Sequence, residues 1–299
     1  MFELIVPATS ANLGCGFDSL GVALNLYNRF VFQKNNIKNI EIEIINSDEK
    51  MNIPLEKNLV YIALKKLFNK VGCNLSGIKV VEYSNIPLAR GLGSSATAII
   101  GGLIGGNYYL GNPLSHKEII ELALEIEDHP DNIVPALVGG MVINILDKKD
   151  INYKKIKLEN DLKIILVIPD FELETSKLRK VLPDKVRLKD AVFNHSRTAL
   201  LTSVFIDKDW NKLGLAMQDK LHQQYRAKLI PGFNEVINKG YQSGALGIAL
   251  SGAGPTIIVF SKNNCDLIGN EMVNTFKNYD ITSKYILTDF NNSGAQIKK

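Results

Sequence analysis

Cysteine is scarce and scattered: Cys15, Cys73 and Cys265 stand far apart, and no Cys-x-x-Cys pair occurs. That excludes a disulfide framework and a structural zinc site, and it suits a reducing compartment. Histidine is equally sparse, and His116, His129, His195 and His222 show no metal-ligand spacing. Long apolar runs are missing. The best stretch, Ala96 to Leu110, is short and carries Gly101, Gly102, Gly105 and Gly106, so no membrane span is expected. The opening "MFELIVPATS" has no basic region ahead of its apolar run, so no signal peptide is expected either. There is no internal repeat, no low-complexity segment, and no Gly-Lys dipeptide, which rules out a Walker A loop. Charge of one sign is not in excess: the net charge is +4, with 22% charged residues. The one dense cluster, "DKKDINYKKIK" (Asp147 to Lys157), mixes acids with lysines and reads as a solvated connection, not a nucleic-acid face. These absences lead to the expectation of a soluble, cytoplasmic protein with neither nucleic acid nor membrane as partner.

What is present is an ordinary globular composition, 45% hydrophobic over 299 residues, enough for two modest domains or one large one. Strand-like runs rich in β-branched and aromatic residues occur at "FELIV", "LGVALNLYNRFVFQ", "IEIEII" and "IKVVEY". "NLVYIALKKLFNKVG" has a helical period, Asn58 as N-cap and Gly72 as stop. A second helix runs towards Leu110 with Ser94 or Ser95 as cap. Its glycines at four-residue spacing predict a backbone packed hard against a neighbour, because propensity alone disfavours them. "SHKEIIELALEIED" starts with a capping box, Ser115 with Glu118. "GGMVINIL" and "LKIILVIPD" read as strands on either side of the lysine-rich connection. Helices follow near 174–182, 188–207, 210–219 and 231–243. The chain then closes with a strand–glycine turn–strand, "ALGIALSGAGPTIIVFS", a helix from Asp266 and a strand "SKYILTDF". The order predicts an α+β protein with a domain boundary near residue 155, giving domains 1–155 and 156–299.

Three glycine loops stand out: "PATSANLGCGFDSLG", "PLARGLGSSATA" and "SGAGPT". Gly91, Gly93 and Ala96 satisfy the spacing of a dinucleotide fingerprint. However, "SNIPLAR" separates them from the strand, and the first acid afterwards is Glu118, so that reading is weak. What remains is a loop whose backbone N–H groups open a helix, a site suited to an anion. A serine-capped helix with no ligand fits the same residues, and both readings stay open at this level.

In chain order, "PATSANLGCGFD", "PLARGLGSSATA", "HPDNIVPALVGG", "YRAKLIPGF" and "SGAGPT" resemble the motifs of the GHMP kinases, and as a set those of their homoserine kinase family. The resemblance covers nearly the whole chain. It implies a two-domain GHMP kinase architecture, with a ribosomal-S5-like N-terminal and a ferredoxin-like C-terminal domain. It also implies ATP- and Mg²⁺-dependent phosphorylation of the side-chain hydroxyl of L-homoserine in threonine biosynthesis, by a protein that often forms a homodimer. The alternatives weighed are another small-molecule GHMP kinase, for mevalonate or a sugar, and a non-catalytic nucleotide or amino-acid sensor on the same scaffold.

Residue by residue, the resemblance implies that Pro87, Leu88, Ala89, Arg90, Gly91, Leu92, Gly93, Ser94, Ser95, Ala96, Thr97 and Ala98 wrap the ATP phosphates. Ser95 and Glu121 are the implied Mg²⁺ ligands, and Asn58 is implied at the nucleoside. Asn12 and Asp18 fall to the amino group, Arg179 and Arg226 to the carboxylate, and His129, Asn132 and Thr175 to the surroundings of the acceptor. Bland readings stand beside these. Glu118, Glu121, Glu125 and Asp128 form one solvated stripe of a helix. Asn58 and Thr175 serve equally as helix caps, His129 as a helix end, Asp18 as a turn residue and the arginines as surface residues. For the chemistry, Asn132 orienting the hydroxyl while the proton passes to the phosphate is the favoured reading, and Asp131 as general base is the alternative. Cys15 has no activating neighbour in sequence and reads as a small apolar filler.

Overall fold

The computed structural model describes residues 1–36, 39–46, 49–147, 150–173 and 175–298. Its strands are β1 (Phe2–Ala11), β2 (Leu20–Lys34), β3 (Ile40–Asn46), β4 (Glu49–Met51), β5 (Ile78–Tyr83), β6 (Met141–Asp147), β7 (Asp150–Ile156), β8 (Lys163–Pro169), β9 (Gly247–Leu250), β10 (Ile257–Ser261), β11 (Ser283–Thr288) and β12 (Gln296–Lys298). Its α-helices are α1 (Leu59–Val71), α2 (Ser94–Tyr109), α3 (His116–Leu124), α4 (Pro130–Val138), α5 (Thr175–Lys180), α6 (Leu188–Asp207), α7 (Leu213–Ala216), α8 (Gln223–Arg226), α9 (Phe233–Gln242) and α10 (Cys265–Lys277). One sheet has the order β12-β1-β2-β5-β3-β4, with β6 joined to β2 and β7 to β6. The second has the order β11-β8-β10-β9 and is antiparallel throughout. Among the described residues no helix is long and apolar enough to cross a membrane.

The glycines of α2 do what their cost suggested. A Cβ on Gly101 would fall 2.6 Å from the Phe30 ring, and one on Gly105 would enter the Phe32 ring. On the next face, Gly102 lies against Val60 and Ala63, and Gly106 against Leu64 of α1. The helix is thus wedged between β2 and α1, and the core formed there is aromatic and aliphatic: Phe30, Phe32, Leu64, Leu67, Ile99 and Leu103 are all essentially buried. Gly105→Ala is expected to cost about 1–3 kcal/mol, the scale of overpacking a filled core. Chemical denaturation checks this, and an unchanged midpoint would mean that the interface has slack.

A second core joins the halves, with Leu20 and Leu24 of β2 against Ile164 and Leu166 of β8, Phe260 of β10 and Phe205 of α6. A third lies between the second sheet and α9 and α10, around Val236, Ile248, Val259, Ile268 and Met272. The halves are therefore packed into each other. The last strand, β12, returns to pair with β1.

Three local readings are corrected. Neither Ser94 nor Ser95 caps α2: Gly93 is the N-cap, left-handed at φ 67°, with no side-chain cap bond. A left-handed backbone at that point favours glycine, and it leaves both hydroxyls uncommitted. The lysine-rich connection is half strand: β6 and β7 pair as a hairpin from Met141↔Ile156 to Asp147↔Asp150. β7 is an edge strand with Ile151 buried and Lys154 exposed, while Lys155 turns in to donate to the Val138 and Asn292 carbonyls, a pattern that hides the strand period. The helix expected near 210–219 is a 3₁₀ turn, Trp210–Lys212, followed by the single turn of α7. By contrast, Asn58 caps α1 through Val60 and Tyr61, and the Ser115–Glu118 capping box of α3 is present.

Candidate active site

Where the two halves meet, a cavity of about 360 Å³ opens. Its lining falls into three parts. The loop 87–95 with Ala98 forms one. A largely apolar part comprises Ile44, Met51, Ile53 and Leu59, with Lys57, Asn58, Glu82 and Ser84. A charged part comprises Asn12, Asp18, Glu127, His129, Asp131, Asn132, Arg179, Arg226 and the Gly252 turn. Nearly every residue singled out from sequence converges here. Ala96 and Thr97 are fully buried in α2 behind the loop instead. The Thr175 side chain lies outside the described residues, although its backbone opens α5.

The loop is fastened from both halves. Thr9 N–H donates to the Leu92 carbonyl at 3.1 Å, and Thr256 N–H to the Arg90 carbonyl at 3.2 Å. The Ser251 hydroxyl donates to the Gly91 carbonyl at 2.7 Å. Arg90 reaches Asp170 at 3.3 Å. A side chain on Gly91 would strike the Ser251 carbonyl, and one on Gly93 would strike the Thr9 hydroxyl. The result is a glycine-shaped cradle whose backbone leads into the N-terminus of α2, suited to a phosphate chain.

The charged part is held by an unusual backbone. Asn12 and Asp18 adopt left-handed conformations, φ 71° and 54°, which short polar side chains tolerate best. Asn12 ties the turn together, donating from Nδ2 to the Gly252 carbonyl at 2.9 Å and accepting the Asp18 N–H at 3.0 Å. Asp18 meets Arg179 as a fork, with Nη1 to Oδ2 at 3.3 Å and Nη2 to Oδ1 at 3.1 Å. Arg179 Nη2 also lies 3.1 Å from His129 Nδ1.

Arg226 is 2% exposed. Its Nε donates to the Leu178 carbonyl at 3.4 Å, and Nη1 to the Gly252 carbonyl at 3.1 Å. Nη1 also contacts His222 Nδ1 at 3.3 Å, while His222 Nε2 lies 2.8 Å from the Gly14 carbonyl. A carbonyl only accepts, so Nε2 carries the proton and Nδ1 accepts from the arginine; burial holds this ring below the usual imidazole range. Burial also lowers the guanidinium to about 10, so it remains charged at neutral pH. Phe17 stacks on His222 with centroids 5.1 Å apart and lies 5.3 Å from the Arg226 guanidinium. The side chain of Asp219 is fully buried and accepts from Leu221, His222 and Gln223 N–H and from Asn194. The supporting residues Phe17, Asp219 and His222 carried no sequence signal of their own, because they act through Arg226 and not on a ligand.

At the start of α4, the Thr9 hydroxyl donates to Asn132 Oδ1 at 2.8 Å. That bond fixes the amide, and leaves its NH₂ for the cavity. Asp131 is 2% exposed, and its Oδ1 has no hydrogen-bond partner. Burial first, and the nearby Asp18 charge second, raise its carboxyl to about 7 from 3.8. Between about pH 4 and pH 7 the folded chain holds a proton there that the unfolded chain has released, so stability falls as pH rises through that window. Asp131→Asn removes the titration. Its stability relative to the parent should be flat below pH 4 and improve steadily up to pH 7; parallel pH curves would show an ordinary carboxyl. Glu82 carries the same sign of dependence in both proteins and cancels in the comparison.

Glu121 is not brought to the cavity. It lies on α3, with a side chain 40% exposed and 4.0 Å from Lys117. Of the acidic residues in this stretch, the one that lines the cavity is Glu127. The acidic stripe drawn from Glu118 to Asp128 presumed one continuous helix, whereas α3 stops at Leu124 with Glu125 as C-cap. The chain beyond leaves the helical path and delivers Glu127, which stands just ahead of "HPDN". Among the described residues no group of three or more His, Cys, Asp or Glu could hold a metal by itself.

A glycine-shaped cradle at a helix N-terminus beside a charged pocket, at the seam of two α+β halves, is the arrangement that a small-molecule kinase of the GHMP class requires. The pattern for the GHMP kinases N terminal domain matches residues 58–140, and that for the C-terminal domain matches 198–278. The chain is 52% identical to a homoserine kinase of Halothermothrix orenii over 100% of its length and 96% of the relative's. It is 44% identical to one of Clostridium beijerinckii over 99% and 98%. A homoserine kinase structure from Cytophaga hutchinsonii superposes with a TM-score of 0.90 at 30% identity, covering 99% of this chain and 97% of that one. A mevalonate kinase structure, at 17% identity and a TM-score of 0.72, shares the fold. The chain belongs to the homoserine kinase family.

Proposed function

We propose that this chain transfers the γ-phosphoryl group of ATP to the side-chain hydroxyl of L-homoserine, as a step of threonine biosynthesis in the cytoplasm. The observation that carries the substrate choice is the Asp18–Arg179 fork with Arg226 beside it, in one cavity with the phosphate loop. A zwitterion has the charges to split that fork, offering its ammonium to Asp18 and its carboxylate to Arg179 and Arg226. Mevalonate and sugars have no amino group and would leave Asp18 unmatched. The chain divides near residue 156, between β7 and β8, into the two parts that enclose the cavity.

Phosphoryl transfer asks the protein chiefly for position and charge compensation. The loop 87–95 and the α2 N-terminus hold the phosphates. Asn132, its amide fixed by Thr9, orients the acceptor hydroxyl, and the proton passes to the phosphate. Mg²⁺ fits the residues present: the uncapped Ser95 hydroxyl and the Glu127 carboxylate supply hard oxygen donors, and this ion takes its remaining ligands from phosphates and water. When bound it would neutralise charge on the β- and γ-phosphate oxygens. Glu127→Gln is expected to raise the Mg²⁺ needed for half activity by about tenfold, the scale of one lost charged contact, and Glu121→Gln to change it little. Equal effects would deny Glu127 the role.

The proposal is tested by ADP release with L-homoserine, L-serine, mevalonate and galactose as acceptors. L-Homoserine should give the highest kcat/KM by far. Preference for mevalonate or galactose overturns the assignment, and no ADP release with any acceptor points to a sensor.

A further inference from the structure

Behind the phosphate loop lies a second cavity, of about 240 Å³, that the phosphoryl-transfer reading leaves without a task. Pro87 and Arg90 line both cavities, so the loop is the partition between them. The far wall is the end of β8 and the start of β11, joined where Asp170 N–H donates to the Thr282 carbonyl at 2.7 Å. Lys284 stands opposite Ile168 in the register, so it shares the face of that sheet which packs towards the N-terminal half.

The polar groups on these walls are mostly donors with nothing to donate to. The Arg90 side chain is 13% exposed, and its Nη2 reaches Asp170 Oδ1 at 3.3 Å. Nη1 is buried with no hydrogen-bond partner among the described residues, and Glu172 Oε1, at 3.7 Å, lies outside hydrogen-bond reach. Ser283 lines the same cavity, and its buried Oγ is without a partner as well. Lys284 is exposed and makes no ion pair among the described residues. The two acids nearby, Asp170 and Glu172, have side chains 74% and 67% exposed, so solvent screens them. A cation from each half of the molecule thus faces one small space. A phosphate group suits that pair: it accepts through several oxygens at once, from the planar N–H edge of an arginine and from the point charge of a lysine.

We propose that this cavity is a second anion site, which takes a phosphate group, free or as a small monoester, between Arg90 and Lys284. It is distinct from the place of phosphoryl transfer on the other side of the loop. Asp170 is the competitor of that anion, because it already holds one edge of the Arg90 guanidinium.

The experiment measures, by calorimetry, the binding of inorganic phosphate and of O-phospho-L-serine to the chain saturated with L-homoserine and the β,γ-imido analogue of ATP, which together fill the main cavity. The parent should still bind a single phosphate. Lys284→Ser should weaken that binding about tenfold, the scale of one charged contact, and leave kcat and both KM values unchanged. Asp170→Asn should tighten it about threefold, since the variant frees Arg90 from a surface ion pair. A merely structural role for Asp170 would move the affinity the other way. Tighter binding of O-phospho-L-serine identifies a monoester as the occupant, and tighter binding of inorganic phosphate the free ion; either supports the site. The inference is overturned if the parent takes up neither probe once the main cavity is full, if Lys284→Ser binds as the parent does, or if Asp170→Asn binds more weakly.

Discussion

Arg226→Lys is expected to lower kcat/KM for L-homoserine by about one to two decades, or roughly 1.5–3 kcal/mol, while KM for ATP stays in place. The guanidinium is already spoken for on most of its rim: Nε by Leu178, Nη1 by Gly252 and His222. Nη2 is the edge left to meet a carboxylate, and the other donors aim it. A lysine keeps the charge but cannot hold two carbonyls and an imidazole while presenting a further N–H at a set angle. A grip through Nη2 differs from the two-pronged clasp that arginine suggests in the abstract, and it makes the aim depend on His222 remaining an acceptor. The control is the acceptor: 3-aminopropan-1-ol lacks the carboxylate, so the parent should use it poorly and the variant hardly worse. If both acceptors lose equally, Arg226 supports the fold or the nucleotide, and the carboxylate role fails.

The parts of this site that could be read from sequence are those whose chemistry is local. A glycine loop followed by serines, a capping asparagine and a Ser-x-x-Glu box act within a few residues, so their pattern survives in one dimension. The glycines of α2 could be read because their helix cost demanded a packing reason, which Phe30 and Phe32 supply. What escaped was set by distant partners. Glu127 rather than Glu121 reaches the cavity because α3 ends a turn earlier than the acidic spacing suggested. β7 was hidden by its lysines, of which Lys154 suits an exposed edge and Lys155 turns inward. Thr9, His222 and Asp219 are engaged by Asn132, Gly14 and Asn194, which lie 123, 208 and 25 positions away and which the fold brings to them. Glu82 carried no signal in the run IKVVEY, and only the register with Phe30 and Ile44 shows it facing inward.

Asn132→Asp should be the most damaging of the small changes, with kcat falling about 10²–10³-fold, the loss typical of one preorganised donor in a transition state. The Thr9 hydroxyl occupies Oδ1, so the native side chain offers an NH₂ to the cavity. Aspartate of the same shape offers a second lone pair and a negative charge next to an anionic γ-phosphoryl group, so it opposes the reaction where asparagine supports it. The acceptor KM should move far less than kcat, because the amide acts on the reacting oxygen and not on the zwitterion's charges. Thr9→Val frees the amide to flip and should reproduce part of the loss, whereas Thr9→Ser keeps the hydroxyl and should restore it. Asp131→Asn supplies the contrast: a buried neighbour, raised to about 7, that takes no proton in the reaction should cost kcat no more than about threefold at pH 7, where a true base would cost about 10²–10⁴. A near-active Asn132→Asp together with a dead Asp131→Asn would reverse the two roles, making Asp131 the base and leaving Asn132 to hold the start of α4.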